Sequence, residues 1–397
     1  MNIGQIKNIK SGKYLINMEM QKYKSFIRNY LLSSSLYDFV FAYAIYNVLF
    51  NIRGLSVFEI SMLLAWWALA AMLLEVPSGA LADYWSRKKM LVIAPAIKSV
   101  CFVVWFLADG NFYLYGLGFL FWAIGSSLVS GTTEALLYDE LVAFKKKFYK
   151  HIALAISTVT GGFIAHYNLD WALIFSVIPL LLSAFFALLI RETPKTKSTE
   201  EVHYLDYIKL AYREVKSNKV LLIFLLYSFG ISIFGNIEEF DQLYYQLSGL
   251  PIYAFGLVGF FWSVLNSIGS YYAHKFKKAI WIFYVFPLVA VILLFFVGLK
   301  PSIPMIGVLL LAYFITSPLS VLIDSKIQHN VKSVGRATVT SVSALLINLF
   351  GVFLTPIFGI ISKIWNLQTI YISTSIFLLV FAIWAFTSRK IFALKKA

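Results

Sequence analysis

The sequence predicts an all-α membrane protein of twelve transmembrane helices, arranged as two six-helix bundles related by a pseudo-two-fold axis. Three observations carry that prediction. Of 397 residues, 60% are hydrophobic and only 13% charged, whereas a soluble domain runs about 45–50% apolar and about 25% charged. Twelve spans of about 20 residues consume roughly 240 residues, which matches that hydrophobic share. Basic residues gather in alternate gaps between the apolar runs. The composition excludes an ordinary soluble enzyme and a disordered chain. Cys101 is the only cysteine, so no internal disulfide framework exists.

The first 25 residues are polar and basic and read as a cytoplasmic segment with no cleavable leader. Apolar runs then place six spans near 28–50, 57–82, 90–108, 112–138, 149–166 and 171–190. Residues 192–218 are the one long polar interior stretch, read as a cytoplasmic linker in which Thr193-Pro194 stops the preceding helix. A second set of six follows near 219–246, 252–274, 279–299, 304–326, 336–362 and 367–387, with a basic tail at 388–397. The bundles, 26–191 and 219–387, are of nearly equal length, as a tandem repeat gives.

The net charge is +15. In a soluble protein that would suggest nucleic acid, but 30 of the 34 Lys and Arg residues fall on one side of the spans. Positive charge stays cytoplasmic, so both termini are expected in the cytoplasm, with no nucleic-acid partner. The same loops attract anionic lipid headgroups.

The loop after span 2 reads Gly79-Ala-Leu-Ala-Asp83-Tyr-Trp-Ser-Arg87-Lys88-Lys89. It resembles the signature loop of the major facilitator superfamily, with Ser86 where the family prefers glycine. Glu75-Val-Pro-Ser-Gly79, Ser130-Gly-Thr-Thr-Glu134 and Gly335-Arg336-Ala-Thr338 resemble a bacterial, efflux-like branch of that superfamily. The resemblance implies a monomeric secondary transporter in a bacterial cytoplasmic membrane, working on a small molecule with a proton or other coupling ion. It also implies that Asp83 faces the start of span 11 and that Arg87 or Lys88 pairs with Asp139, forming an inner gate. The family's span-4 arginine is absent, because 120–130 contains no Arg or Lys.

Several charges fall inside spans, where they are costly and usually functional. Asp38 lies ten residues into span 1, about 15 Å deep at 1.5 Å per residue. It reads as a counter-ion or proton carrier with Tyr37 beside it, or as a structural hydrogen-bond acceptor. Tyr43 and Tyr46 are weaker neighbours. Glu134, two turns from the cytoplasm on span 4, is a second substrate or proton candidate. Glu75 and Lys98 reach similar depths on consecutive spans, so a buried ion pair is expected. Glu238, Glu239 and Asp241 cluster at the outer end of span 7, as an outer mouth for cations or as a wet helix end.

The five histidines are scattered, and no HExxH, CxxC, GxSxG or phosphate-loop pattern occurs. No enzyme, cofactor or metal site is expected. The preferred reading is proton-coupled efflux of a small amphipathic or cationic compound. Symport uptake of a metabolite, or a non-transporting sensor or scaffold on the same fold, are the alternatives.

Overall fold

The computed structural model describes residues 21, 24–84, 86–136, 140–190, 218–330 and 336–393. Residues 191–217 and 394–397 lie outside that set, as does Asp139. The side chains of Gly79, Asp83, Arg87 and Glu134 fall outside it too, while Lys88 is described and half-buried.

The chain is helical from end to end among the described residues. Span 1 comprises residues 24–37, a 3-10 turn at Phe41–Ala44 and a helix at Tyr46–Ile52. Spans 2 to 6 are Val57–Tyr84, Arg87–Ala108, Phe112–Leu136, Glu140–Tyr167 and Leu169–Leu188. Span 7 comprises Lys219–Ile231, Ile233–Glu238 and Asp241–Leu247. Spans 8 to 12 are Ile252–Tyr272, Ile282–Leu299, Ile303–Asn330, Arg336–Ile364 and Thr369–Thr387.

Ten described helices are long and apolar enough to cross a membrane by themselves. Span 1 falls short because it is broken, and span 5 because its first turns carry Lys145, Lys146, Lys147 and Lys150. Alternation of the spans puts the beginnings of spans 1 and 7 on one face, here the linker face. The loops at Arg53, Asp109, Asn168, Ser248, Lys300 and Asn366 lie on the opposite face.

Span 3 packs on spans 4 and 6, while span 2 packs on span 4 and crosses to span 11 in the other half. Span 5 likewise crosses to span 8. These are the two seams between halves, and small residues make them possible. A Cβ on Gly256 would lie 2.0 Å from the Thr158 carbonyl oxygen, and one on Gly359 would lie 1.9 Å from Ser61 Oγ. Along the outside, Leu107, Ile178, Phe261, Ile292, Val380 and many other apolar side chains are exposed, as a lipid-facing surface requires.

On the opposite face the first half is tied by Arg53. Its guanidinium pairs with Asp170 and donates to the Trp105 carbonyl at 2.9 Å and the Tyr115 hydroxyl at 3.3 Å. One side chain thereby joins spans 1, 3, 4 and 6.

Candidate functional site

Span 1 breaks where its sequence turns against the helix. Asp38 competes for backbone donors, and the β-branched Val40 is extended at φ −120° and ψ 116°. The freed groups find partners. Ser176 Oγ of span 6 accepts from Ala42 N at 3.0 Å. Lys98 Nζ of span 3 donates to the Tyr37 carbonyl at 3.3 Å, a cation at a helix C-terminus where the backbone dipole favours it. Span 7, the corresponding span of the second half, breaks at Ser232 and again at Glu239–Phe240. Discontinuous helices in matching positions of two membrane repeats are where ligand sites tend to form.

Two cavities meet at these breaks. The larger, about 800 Å³, runs within the first half toward the linker face, past Tyr30, Ser33, Asp38, Lys98, Ser126 and Lys150. The smaller, about 240 Å³, lies between the halves and is lined by Tyr46, Thr158, Glu238, Glu239, Asp241 and Trp262 among others. Tyr43, Trp67 and Trp122 line both. Their rings form a partition, with Tyr43 stacked on Trp122 at 5.3 Å and Trp67 edge-on to Trp122 at 6.3 Å.

Lys98 is only 1% exposed. Besides the Tyr37 carbonyl, its ammonium donates to the Tyr43 hydroxyl at 2.8 Å and sits 3.9 Å from the Tyr37 ring centre. Cation–π contact of that kind offsets part of the desolvation cost. Asp38 pairs with Lys150 of span 5 across 3.5 Å. Lys150 therefore lies well inside the span-5 helix and contributes to a cavity wall.

The expected Glu75–Lys98 ion pair is not what holds Lys98. Among the described residues no carboxylate lies within ion-pair distance of its ammonium. Glu75 is exposed on span 2. The reason is topological: spans 2 and 3 follow each other in sequence but barely touch, because span 4 packs against both.

The three acids of span 7 are not a wet helix end either. The break at Glu239–Phe240 turns them inward, and Asp241 is 3% exposed. Its carboxylate accepts from Tyr313 of span 10 and Tyr371 of span 12, both at 2.8 Å. Glu239 accepts from the Tyr46 hydroxyl of the other half. Among the described residues no cation lies within ion-pair distance of these carboxylates, and no group of three His, Cys, Asp or Glu is placed to hold a metal. The central cavity also holds buried donors without a partner among the described residues: Trp67 Nε1, Trp262 Nε1 and Ser263 Oγ.

Above the central cavity the halves are laced together toward the opposite face. Gln242 accepts from Asn47 N at 3.0 Å and donates to the Tyr43 carbonyl at 2.8 Å. Asn47 Nδ2 donates to the Glu239 carbonyl at 2.7 Å. These bonds join the Phe41–Ala44 turn and the Tyr46–Ile52 helix of one half to residues 239–247 of the other.

The structure thus brings Tyr37, Asp38 and Lys98 together on one cavity and the span-7 acids onto the adjoining one. Asp139 and the side chains of Gly79, Asp83, Arg87 and Glu134 lie outside the described residues. Sequence reasoning missed Lys150, Tyr313 and Tyr371, and set Gln242 beside the span-7 acids without giving it a role. Only Gln242 carried a signal, as a polar residue beside the acids inside an apolar run.

Residues 150–349 match the family model described as Major Facilitator Superfamily. No curated protein matches the chain. Among solved structures, the fold is similar to a bacterial homolog of the human lysosomal transporter Spinster in an inward-facing, unoccupied conformation. The two share 17% identity at a TM-score of 0.74, over 95% of this chain and 99% of that one. It is also similar to the nucleoside transporter NupG, with 17% identity and TM-score 0.65 over 94% and 98%. A third is the xylose transporter XylE from E. coli in an inward-open conformation, with 15% identity and TM-score 0.70 over 91% and 95%.

Proposed function

The chain belongs to the Major Facilitator Superfamily, and we propose that it is a secondary transporter that exports a small amphipathic or cationic compound by alternating access, driven by protons. The observation that carries this reading is the cavity between the halves. It is walled by both broken spans, lined by aromatic rings and three acids, and bridged by hydrogen bonds between the halves at Asn47 and Gln242. Such bonds are individually worth about 1 kcal/mol, so they can be exchanged for hydration when the halves rock.

In this reading the linker face is cytoplasmic and the membrane is the bacterial inner membrane. Asp38 and Glu134 are the proton-binding candidates. Gly79, Asp83, Arg87, Lys88 and Asp139 close the linker face when the carrier turns outward. Ligand and protons shift the two states only through their different affinities for each. The aromatic partition supports a cationic or apolar substrate body, through cation–π and stacking contacts.

The test is uptake of ethidium into everted vesicles with an acid interior. Accumulation that exceeds that of vesicles lacking the protein, and that a protonophore abolishes, is expected. Equal accumulation in both kinds of vesicle contradicts the export reading.

A further inference from the structure

We propose that the two adjoining cavities form one bipolar site for an organic zwitterion with an apolar middle, its anionic group against Lys98 and Trp67 and its cationic group against Glu238 and Asp241. This rests on the carrier reading above and adds an anion seat to it.

The charges are segregated by half. Asp38, Lys98 and Lys150 line the first-half cavity, and among the described residues the Asp38–Lys150 contact leaves Lys98 without a carboxylate partner. Glu238, Glu239 and Asp241 line the central cavity, with no Lys, Arg or His among its lining residues. A buried charge of either sign is costly without a partner, so each wall favours a ligand group of opposite sign.

Hydrogen-bonding capacity supplies donors for the anionic group at Lys98 and Trp67, while the central cavity keeps donors of its own beside the acids, at Trp262 and Ser263. An ammonium has three donors, and Lys98 gives two, to the Tyr37 carbonyl and the Tyr43 hydroxyl. The indole N–H of Trp67 is buried without an acceptor among the described residues, and Trp67 lines both cavities. Indole nitrogens only donate, so this wall is built to meet acceptor oxygens. On the other wall, the Tyr313 and Tyr371 hydroxyls hold each Asp241 oxygen at 2.8 Å. Tyr245 stands on Asp241 as a third hydroxyl, and since a carboxylate has about four acceptor directions, one remains, which an ammonium fits. Between the two walls stand Tyr43 and Trp122, stacked at 5.3 Å, which suit an aromatic or apolar linker.

The test uses the purified full-length chain and a matched panel: para-(aminomethyl)phenylacetate and its next two homologues, each beside its methyl ester and its N-acetyl derivative. Binding is read by quenching of tryptophan fluorescence and by thermal stabilisation. At least one zwitterion is expected to bind at least tenfold more tightly than its ester, which lacks the anion, and its N-acetyl partner, which lacks the cation. Lys98→Met should bring that zwitterion down to the ester's affinity while ester binding stays within twofold, which also shows that the variant is folded. Trp67→Phe should weaken the zwitterion and the N-acetyl compound severalfold. Asp241→Asn should weaken the zwitterion and the ester and spare the N-acetyl compound. An ester that matches its zwitterion, a preference unchanged by Lys98→Met, or no binding across the panel overturns the proposal. Alternation of the cavity between faces is read by labelling without ligand, so the carrier reading stands or falls separately.

Discussion

Replacing Gln242 with leucine removes both hydrogen bonds that its amide makes across the halves, to Asn47 N and the Tyr43 carbonyl. Each such bond contributes about 0.5–1.5 kcal/mol net. The closed opposite face should therefore lose about 1–3 kcal/mol relative to the open one, a 5- to 150-fold shift in their ratio. The cost is specific to the closed state, because opening exposes the two orphaned backbone groups to water. Spin labels at Ile52→Cys and Leu247→Cys, both about half-exposed on the two facing helix ends, report the separation by pulsed electron resonance. Cys101 is buried and can remain. The expected result is a long-distance population that rises at least fivefold in Gln242→Leu. An unchanged distance distribution would refute the assignment of these bonds as the latch.

Asp38→Asn, with normal expression, is expected to abolish pH-dependent transport in vesicles; an unchanged pH dependence removes Asp38 as a coupling residue. Gly256→Val forces a side chain into the Thr158 backbone at the seam and should cost about 1–3 kcal/mol of stability, seen as a lowered melting temperature. Gly307→Ala, where a Cβ meets nothing within 4 Å, should leave that temperature unchanged, and an equal loss in both variants would argue against a tight seam. Arg53→Met removes the tie among spans 1, 3, 4 and 6 and should destabilise the protein by about 2–4 kcal/mol in denaturant melts, since Asp170 and two acceptors are left behind.

The division into spans was legible because it depends on little more than bilayer thickness and apolar run length. Asp38 could be located by counting residues along its run. The break there could not, because apolar residues continue on both sides of it and only tertiary partners such as Ser176 and Lys98 make an interrupted helix tolerable. The same interruption is why the span-7 acids line the central cavity: an unbroken helix would carry them to its end, whereas the turn at Glu239–Phe240 folds them inside. Lys150 was hidden by its neighbours, since Lys145–Lys147 make the segment read as a basic loop. The Glu75–Lys98 expectation failed through a different cause, the assumption that spans consecutive in sequence are packed side by side. Tyr313 and Tyr371 lie 72 and 130 residues from Asp241; no local pattern can pair residues so far apart.

The central claim is that one cavity between the halves opens to one face at a time. A Ser263→Cys variant places a thiol on its wall, and a membrane-impermeant maleimide can be offered from either side of sealed vesicles. Labelling of the otherwise unaltered chain from the linker face, moving to the opposite face when Gln242→Leu is added, is the predicted result. Labelling from the same face in both proteins would contradict the account.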